Sequence, residues 1–234
     1  MSDGWTAVLA TADEQWGLIT KQQAEATGLA WTTLARRARH GSLERVALGV
    51  YRVHGGGQAD HLDLRAAWLQ LAPRIPAWKR TAADGVVSHR SAAALHEIGP
   101  LPADTHEFTL PVRRQTRRAD VRLHRGNTVD DHMLVRGLPV TRPSRIAADL
   151  LADREDPGAV AQLTTDALRR NLDRPGPFAS AIAPYAAAHG LRRGDGLGLL
   201  RWLLTLSGDP DGEAWFAEAT ATTARDLSTR SISA

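Results

Sequence analysis

This chain has no cysteine, so disulfide bonds and thiolate metal sites are excluded at the outset. No charged-then-apolar leader opens it and no run of about eighteen apolar residues occurs, so neither export nor membrane spanning is expected, and the cytoplasm is the expected location. The phosphate loop GxxxxGK[ST], the dinucleotide fingerprint GxGxxG and the metalloprotease pair HExxH are all missing. Lysine is scarce: with only Lys21 and Lys79, nearly all positive charge is guanidinium, which suits planar, two-pronged contacts with phosphate or carboxylate. The formal net charge of +3 does not by itself point to nucleic acid.

The placement of that charge says more than its sum. Basic residues gather in 36–52 and again in 113–125, while the last 28 residues are net acidic. The first basic stretch follows a helix start. Thr20 with Gln23 matches a capping box, in which each side chain satisfies an orphan amide, so a short helix should begin at Lys21. Gly28 can take the left-handed conformation that ends that helix and turns the chain, so that a second helix starts near Ala30. In that second helix Trp31, Leu34, Ala35 and Ala38 share one stripe, expected to pack, and Thr32, Thr33, Arg36, Arg37 and His40 lie opposite. Short hydroxyls followed by guanidinium groups are the composition of a DNA recognition helix. The sequel SLERVALGVYRV reads as two short strands around Gly49, a hairpin of wing type whose Arg45 and Arg52 could reach flanking phosphate. Between Trp31 and Val53 five arginines face one glutamate.

Taken in this order, residues 5–53 resemble the N-terminal winged helix-turn-helix of the AbiEi family of antitoxins, from abortive-infection (type IV) toxin-antitoxin systems used in phage defence. The carrying segments are LITKQQAEATGLAWTTLARRARHG and LERVALGVYRV. The similarity continues through GVVSHRSAAALHEIG, EFTLPVRR, VRLHRG and GLPVTRPSRIAADLLAD, covers roughly the first two thirds of the chain, and then fades. The resemblance implies two jobs. The N-terminal domain would bind repeats in its own promoter, as double-stranded DNA, and repress the operon; the C-terminal domain would neutralise a nucleotidyltransferase-like toxin. Carried over to this sequence, Thr32, Thr33, Arg36 and Arg37 would read bases, and Arg39, Arg45 and Arg52 would position helix and wing on phosphates. No residue of the second domain is carried over for neutralisation. The alternative is a stand-alone transcriptional regulator whose second domain senses a ligand or pairs subunits.

A domain boundary is expected at His54-Gly55-Gly56-Gly57, giving a DNA-binding domain over 1–57 and a second domain over 58–234. Beyond the glycines the pattern predicts a helix over about 60–71, and a helix capped by Ser88 and closed by Gly99. Strands are predicted in THEFTL, ADVRLHR and HMLVRGLPVT, followed by a helix capped by Ser144 with Ile146, Ala147, Leu150 and Leu151 as its core stripe. Further helices are expected near 159–171, 177–189, 195–206 and 212–226, with a loose tail after Leu227. The segment 195–206 is apolar on nearly all sides, the pattern of a buried helix or, less often, of a dimer or partner surface. Strands in the middle and helices at the end give an α+β fold class: a winged helix-turn-helix plus an α+β domain with a small, mostly antiparallel sheet and several packing helices.

Catalytic readings find little support. His89, His96, His106 and His124 show no metal-ligand spacing, and adjacent Asp130 and Asp131 would diverge in an extended segment. Ser88-His89 and Ser91 look like a helix start rather than a nucleophile elbow. A nuclease would need clustered acids and a nearby lysine; Lys79 is the only lysine beyond residue 21, and Glu107 is followed by Phe-Thr. No catalytic residue, metal ligand or cofactor is therefore assigned, and the chain is not expected to be an enzyme. The second basic stretch holds Arg113, Arg114, Arg117, Arg118, Arg122 and Arg125 against one acid, Asp120. Alternation would turn Val121 and Leu123 to the core and Arg122 and His124 outward. Such a stretch serves either as ordinary solubilising surface or as a second phosphate-binding patch.

Overall fold

A computed structural model of the chain describes residues 3–55, 59–127 and 131–232. Two compact units are present, one comprising 1–85 and 110–114, the other 86–109 and 115–234. Gly56 and Gly57, where a boundary is expected, lie outside the described residues, and the first unit extends past them to Gly85.

The first unit runs α1 (Asp3–Asp13), β1 (Leu18–Thr20), α2 (Lys21–Ala26), α3 (Trp31–Arg39), β2 (Leu43–Ala47), β3 (Val50–Val53) and α4 (Leu62–Leu71). This is a winged helix-turn-helix with a three-stranded antiparallel sheet in the order β1-β3-β2. The capping box forms as expected: the Thr20 hydroxyl accepts from the Gln23 amide, and the Gln23 side chain accepts from the Thr20 amide. Gly28, at φ +82°, makes the turn into α3. Gly49, at φ +72°, makes the wing turn with Leu48 between the paired Ala47 and Val50. Trp5, Val8, Ile19, Ala24, Leu29, Leu34, Leu43 and Tyr51 close the core between the helices and the sheet.

α4 packs on all three strands, which is why the unit does not end at the glycines. It buries Leu64, Ala66, Ala67, Trp68, Leu69 and Leu71. Its last carbonyls need donors, and Arg80 supplies them: the guanidinium donates to the carbonyls of Trp68, Leu69 and Ala72 and stacks over the Trp68 ring at 4.3 Å. Burial lowers Arg80 to about 10, against the pull of Asp84, which leaves it charged at neutral pH. The cap residues also serve at a distance. Thr20 donates to the Pro73 carbonyl and Gln23 to that of Ile75, so the helix-turn-helix and the segment after α4 share one buried polar network.

The second unit runs β4 (Val86–Val87), α5 (His89–His96), β5 (His106–Leu110), β6 (Val121–Arg125), β7 (His132–Val135), β8 (Leu138–Thr141), α6 (Pro143–Ala152), α7 (Pro157–Arg169), α8 (Pro175–Ile182), a 3-10 segment over Ala183–His189, α9 (Gly196–Ser207) and α10 (Gly212–Ile232). The sheet order is β6-β5-β4-β8-β7, with β4 antiparallel to β5, β7 antiparallel to β8, and β4 parallel to β8. The α+β class and the mostly antiparallel sheet are as expected.

Several details differ from the sequence reading. HMLVRGLPVT is a hairpin rather than one strand, folded at Arg136-Gly137 with φ of +51° and +79°, the positive pair that a tight two-residue turn demands. The two-residue β4 is an addition to the predicted strands. α5 ends on Glu97 in the left-handed region, not on Gly99, and α6 starts at Pro143 after Arg142, with the Ser144 amide donating to Asp173 rather than Ser144 serving as the cap. α10 continues to Ile232, past the point where a loose tail is expected. The stripe Ile146, Ala147, Leu150 and Leu151 is buried as predicted. α9 buries Leu199, Leu200, Leu203 and Leu204 but turns Trp202 and Leu206 to solvent, so it is one-sided. It crosses α8 closely: a side chain at Gly196 would meet the Ala179 carbonyl oxygen at 1.9 Å.

Candidate nucleic-acid interface

α3 is held by Leu34, which is fully buried, and by Ala38 packed at the edge of the core. Its charged side then divides. Thr32, Arg36, Arg39 and His40 are exposed and Thr33 is half-buried. Arg37, expected on the same open face, turns the other way: its guanidinium lies 3.8 Å over the Trp5 ring of α1, and its Nε is buried without a hydrogen-bond partner. Trp31, expected in the packed stripe, is 41% exposed. It sits beneath the Lys21 ammonium at 4.5 Å and tilts against Tyr51. The first turn of α3 therefore offers an aromatic surface roofed by a cation, which helical spacing alone cannot show, because position 31 lies beyond the edge of the core.

On the wing Arg45 is exposed, and Arg52 is half-buried and held by Glu44 at 2.6 Å across the strand pair. Leu48 stands out at the tip with 78% of its surface free, while its carbonyl accepts from Gln70 of α4, which pins the turn. Among the described residues Arg36, Arg39 and Arg45 have no acidic partner, so their field is directed at solvent. Three unpaired guanidinium groups, two on a helix braced from behind and beside short hydroxyls and one on the wing, can grip phosphate and reach base edges.

The second basic stretch is arranged differently. Arg113 and Arg114 belong to the first unit and the others to the second. Arg114 donates to the Leu71 carbonyl, Arg118 is paired with Asp120, and Arg122 lies 3.2 Å from Asp153. Arg113, Arg117 and Arg125 remain exposed.

Of the four histidines considered as ligands, the fold brings two together. His89, at φ +52° in the first position of α5, stacks on His124 of β6 with ring centres 3.5 Å apart. His124 does not point out to solvent as alternation predicts; its Nε2 donates to Glu107 at 3.1 Å. Glu107 is buried and also accepts from the Arg90 amide, so it caps α5. Burial opposes its ionisation, but those two hydrogen bonds and the attraction of the neighbouring imidazoles together hold the carboxyl below its ordinary range. Burial, and then the neighbouring His124, press His89 down to about 3, which keeps it neutral. His96 lies elsewhere and donates to the Thr141 carbonyl. Asp131 reaches Arg145 at 3.4 Å, and Asp130 lies outside the described residues. Among those residues no helix is long and apolar enough to cross a membrane.

The fold and this surface define a winged helix-turn-helix module of the transcriptional-regulator class, joined to an α+β unit. Residues 7–54 match the family described as transcriptional regulator, AbiEi antitoxin, so the N-terminal segment carries that family's regulator domain. The chain is also similar in fold to the crystal structure of the RV2827C protein from Mycobacterium tuberculosis, with a TM-score of 0.51 and 18% identity over 92% of this chain and 81% of that one. No curated protein matches the chain in sequence.

Proposed function

We propose that this protein is a DNA-binding antitoxin of an AbiE-like system, which acts in the cytoplasm, represses its own operon through the helix-turn-helix, and neutralises a nucleotidyltransferase-like toxin through the second unit. The observation that carries the reading is the open face of α3 and the wing, with Arg36, Arg39 and Arg45 unpaired, within a segment matched to the antitoxin regulator family. Thr32, Thr33 and Arg36 are the base readers, and Arg39, Arg45 and Arg52 contact phosphate. Arg37 would join the base readers only by leaving Trp5. The reading requires no catalytic residue and no cofactor.

The test has two arms. In the first, full-length protein is titrated onto DNA from its own promoter: Arg36→Ala should cost about 1–3 kcal/mol and relax sequence preference. Equal affinity of the wild type for promoter and scrambled DNA would sink the repressor half. In the second, the protein is co-expressed with the nucleotidyltransferase encoded beside it. Restored growth with the wild type, and with the Arg36→Glu/Arg39→Glu double variant, would support neutralisation independent of DNA; growth arrest with both would sink the antitoxin half.

A further inference from the structure

We propose that the second unit binds one divalent first-row transition-metal ion, of the zinc type, through His89, His124 and Asp153. The three residues come from separate elements: the first turn of α5, strand β6 and the residue closing α6. Each offers one ligand atom, and the three atoms lie within 4.8 Å of one another. Two imidazoles with a carboxylate favour zinc, cobalt or nickel over magnesium or calcium, which prefer all-oxygen sites.

The surroundings are those of a supported site. In each ring one nitrogen is already engaged: Nδ1 of His89 with the Ser88 hydroxyl at 2.9 Å, and Nε2 of His124 with Glu107 at 3.1 Å. Such outer hydrogen bonds fix the tautomer and leave the opposite nitrogen for a metal. Ser88 is itself held, accepting from the Thr109 hydroxyl. Asp149 has a carboxylate oxygen that is buried without a hydrogen-bond partner and lies 3.9 Å from Nδ1 of His89. Arg145 engages only the other oxygen, and the free one meets the Nδ1 edge of His89 that Ser88 already holds, so Asp149 stands outside the ligand set.

Two features set what binding must overcome. Arg122 holds Asp153 at 3.2 Å and stands 3.8 Å from Glu107, yet its side chain is 58% exposed and can turn into solvent. The His89 and His124 rings are nearly parallel, 14° apart, so their nitrogens converge only when one ring rotates. Turning His124 costs its hydrogen bond to Glu107 and turning His89 costs that to Ser88, so binding must offset the loss of one of them.

The experiment uses the full chain without a histidine tag, stripped with chelator and titrated with Co²⁺ by visible absorption and with Zn²⁺ by calorimetry. The expected result is saturation at one ion per chain, the strong visible bands of low-coordinate cobalt, and a higher unfolding temperature with Zn²⁺. Asp153→Asn and His124→Asn, checked for folding by thermal unfolding, should each weaken binding by at least about tenfold. Arg122→Ala, which removes the competing cation, should bind at least as tightly as the wild type. Absence of one-ion saturation, unchanged affinity in both folded ligand variants, or weaker binding by Arg122→Ala overturns the proposal.

Discussion

In the stretch 36–52, Arg36, Arg39 and Arg45 stand in solvent with no acidic partner among the described residues, whereas in 113–125 Arg118 is tied to Asp120 and Arg122 to Asp153. Along the chain the two stretches look alike, each with several arginines against one acid. Each keeps exposed arginines, but Arg36, Arg39 and Arg45 share one helix and its wing, whereas Arg113 belongs to one unit and Arg117 and Arg125 to the other, with Asp120 and Asp153 holding Arg118 and Arg122 among them. A count of charges along a sequence predicts a field only where the fold leaves those charges unpaired.

The largest effect should come from reversing the unpaired set. Arg36→Glu, Arg39→Glu and Arg45→Glu together should weaken promoter binding by about a thousandfold or more, and the salt dependence of binding should flatten by about one unit of slope per lost phosphate contact. Reversal of Arg117 and Arg118 should leave that slope nearly unchanged. Anisotropy titrations over a range of salt concentrations check both. If the second pair flattened the slope as much per residue as the first set, the contrast between the stretches would be broken, and the second would be a phosphate-binding patch after all.

A smaller effect separates two neighbours within the first stretch. Arg36→Ala should reduce DNA affinity and leave folding stability intact, since its side chain stands free. Arg37→Ala should do the reverse, costing about 1–2 kcal/mol of stability as the stacked cation and its alkyl stem leave Trp5. Denaturant unfolding beside DNA titration distinguishes them. An Arg37→Ala protein of full stability and weakened promoter binding would return Arg37 to the base-reading set.

Much of the first unit was legible because its signals are local. The Thr20 and Gln23 box, the Gly28 turn and the Gly49 wing turn each lie within a few residues, and each forms as read. Arg37 and Trp31 were misread because their fates depend on Trp5, Lys21 and Tyr51, which only the folded chain places beside them. In the second unit β4 is two residues long, too short for alternation to register. The β7–β8 turn was hidden because Arg136, not a glycine or asparagine, takes the first left-handed position. The His89, His124 and Asp153 group has no motif, since its members come from three elements separated by long stretches of chain.

The smallest expected effect bears on how the two regions handle charge: open in α3 and the wing, enclosed in the second unit. Burial lowers His96 below its ordinary 6.5, against the hydrogen bond to Thr141 that would raise it, so the folded chain keeps this ring neutral where the unfolded chain protonates it. The unfolded state then binds more protons below pH 6.5, and stability must fall as pH drops from there toward the lowered folded value, while above 6.5 the contribution is fully present. The slope from one such group is at most about 1.4 kcal/mol per pH unit. His96→Gln keeps a donor for the Thr141 carbonyl but cannot titrate, so its unfolding free energy should fall less steeply between pH 6.5 and 5 than that of the wild type by up to this amount. Identical slopes would mean that the ring takes up its proton in place, and that the enclosed side of the contrast is more open to solvent than its burial implies.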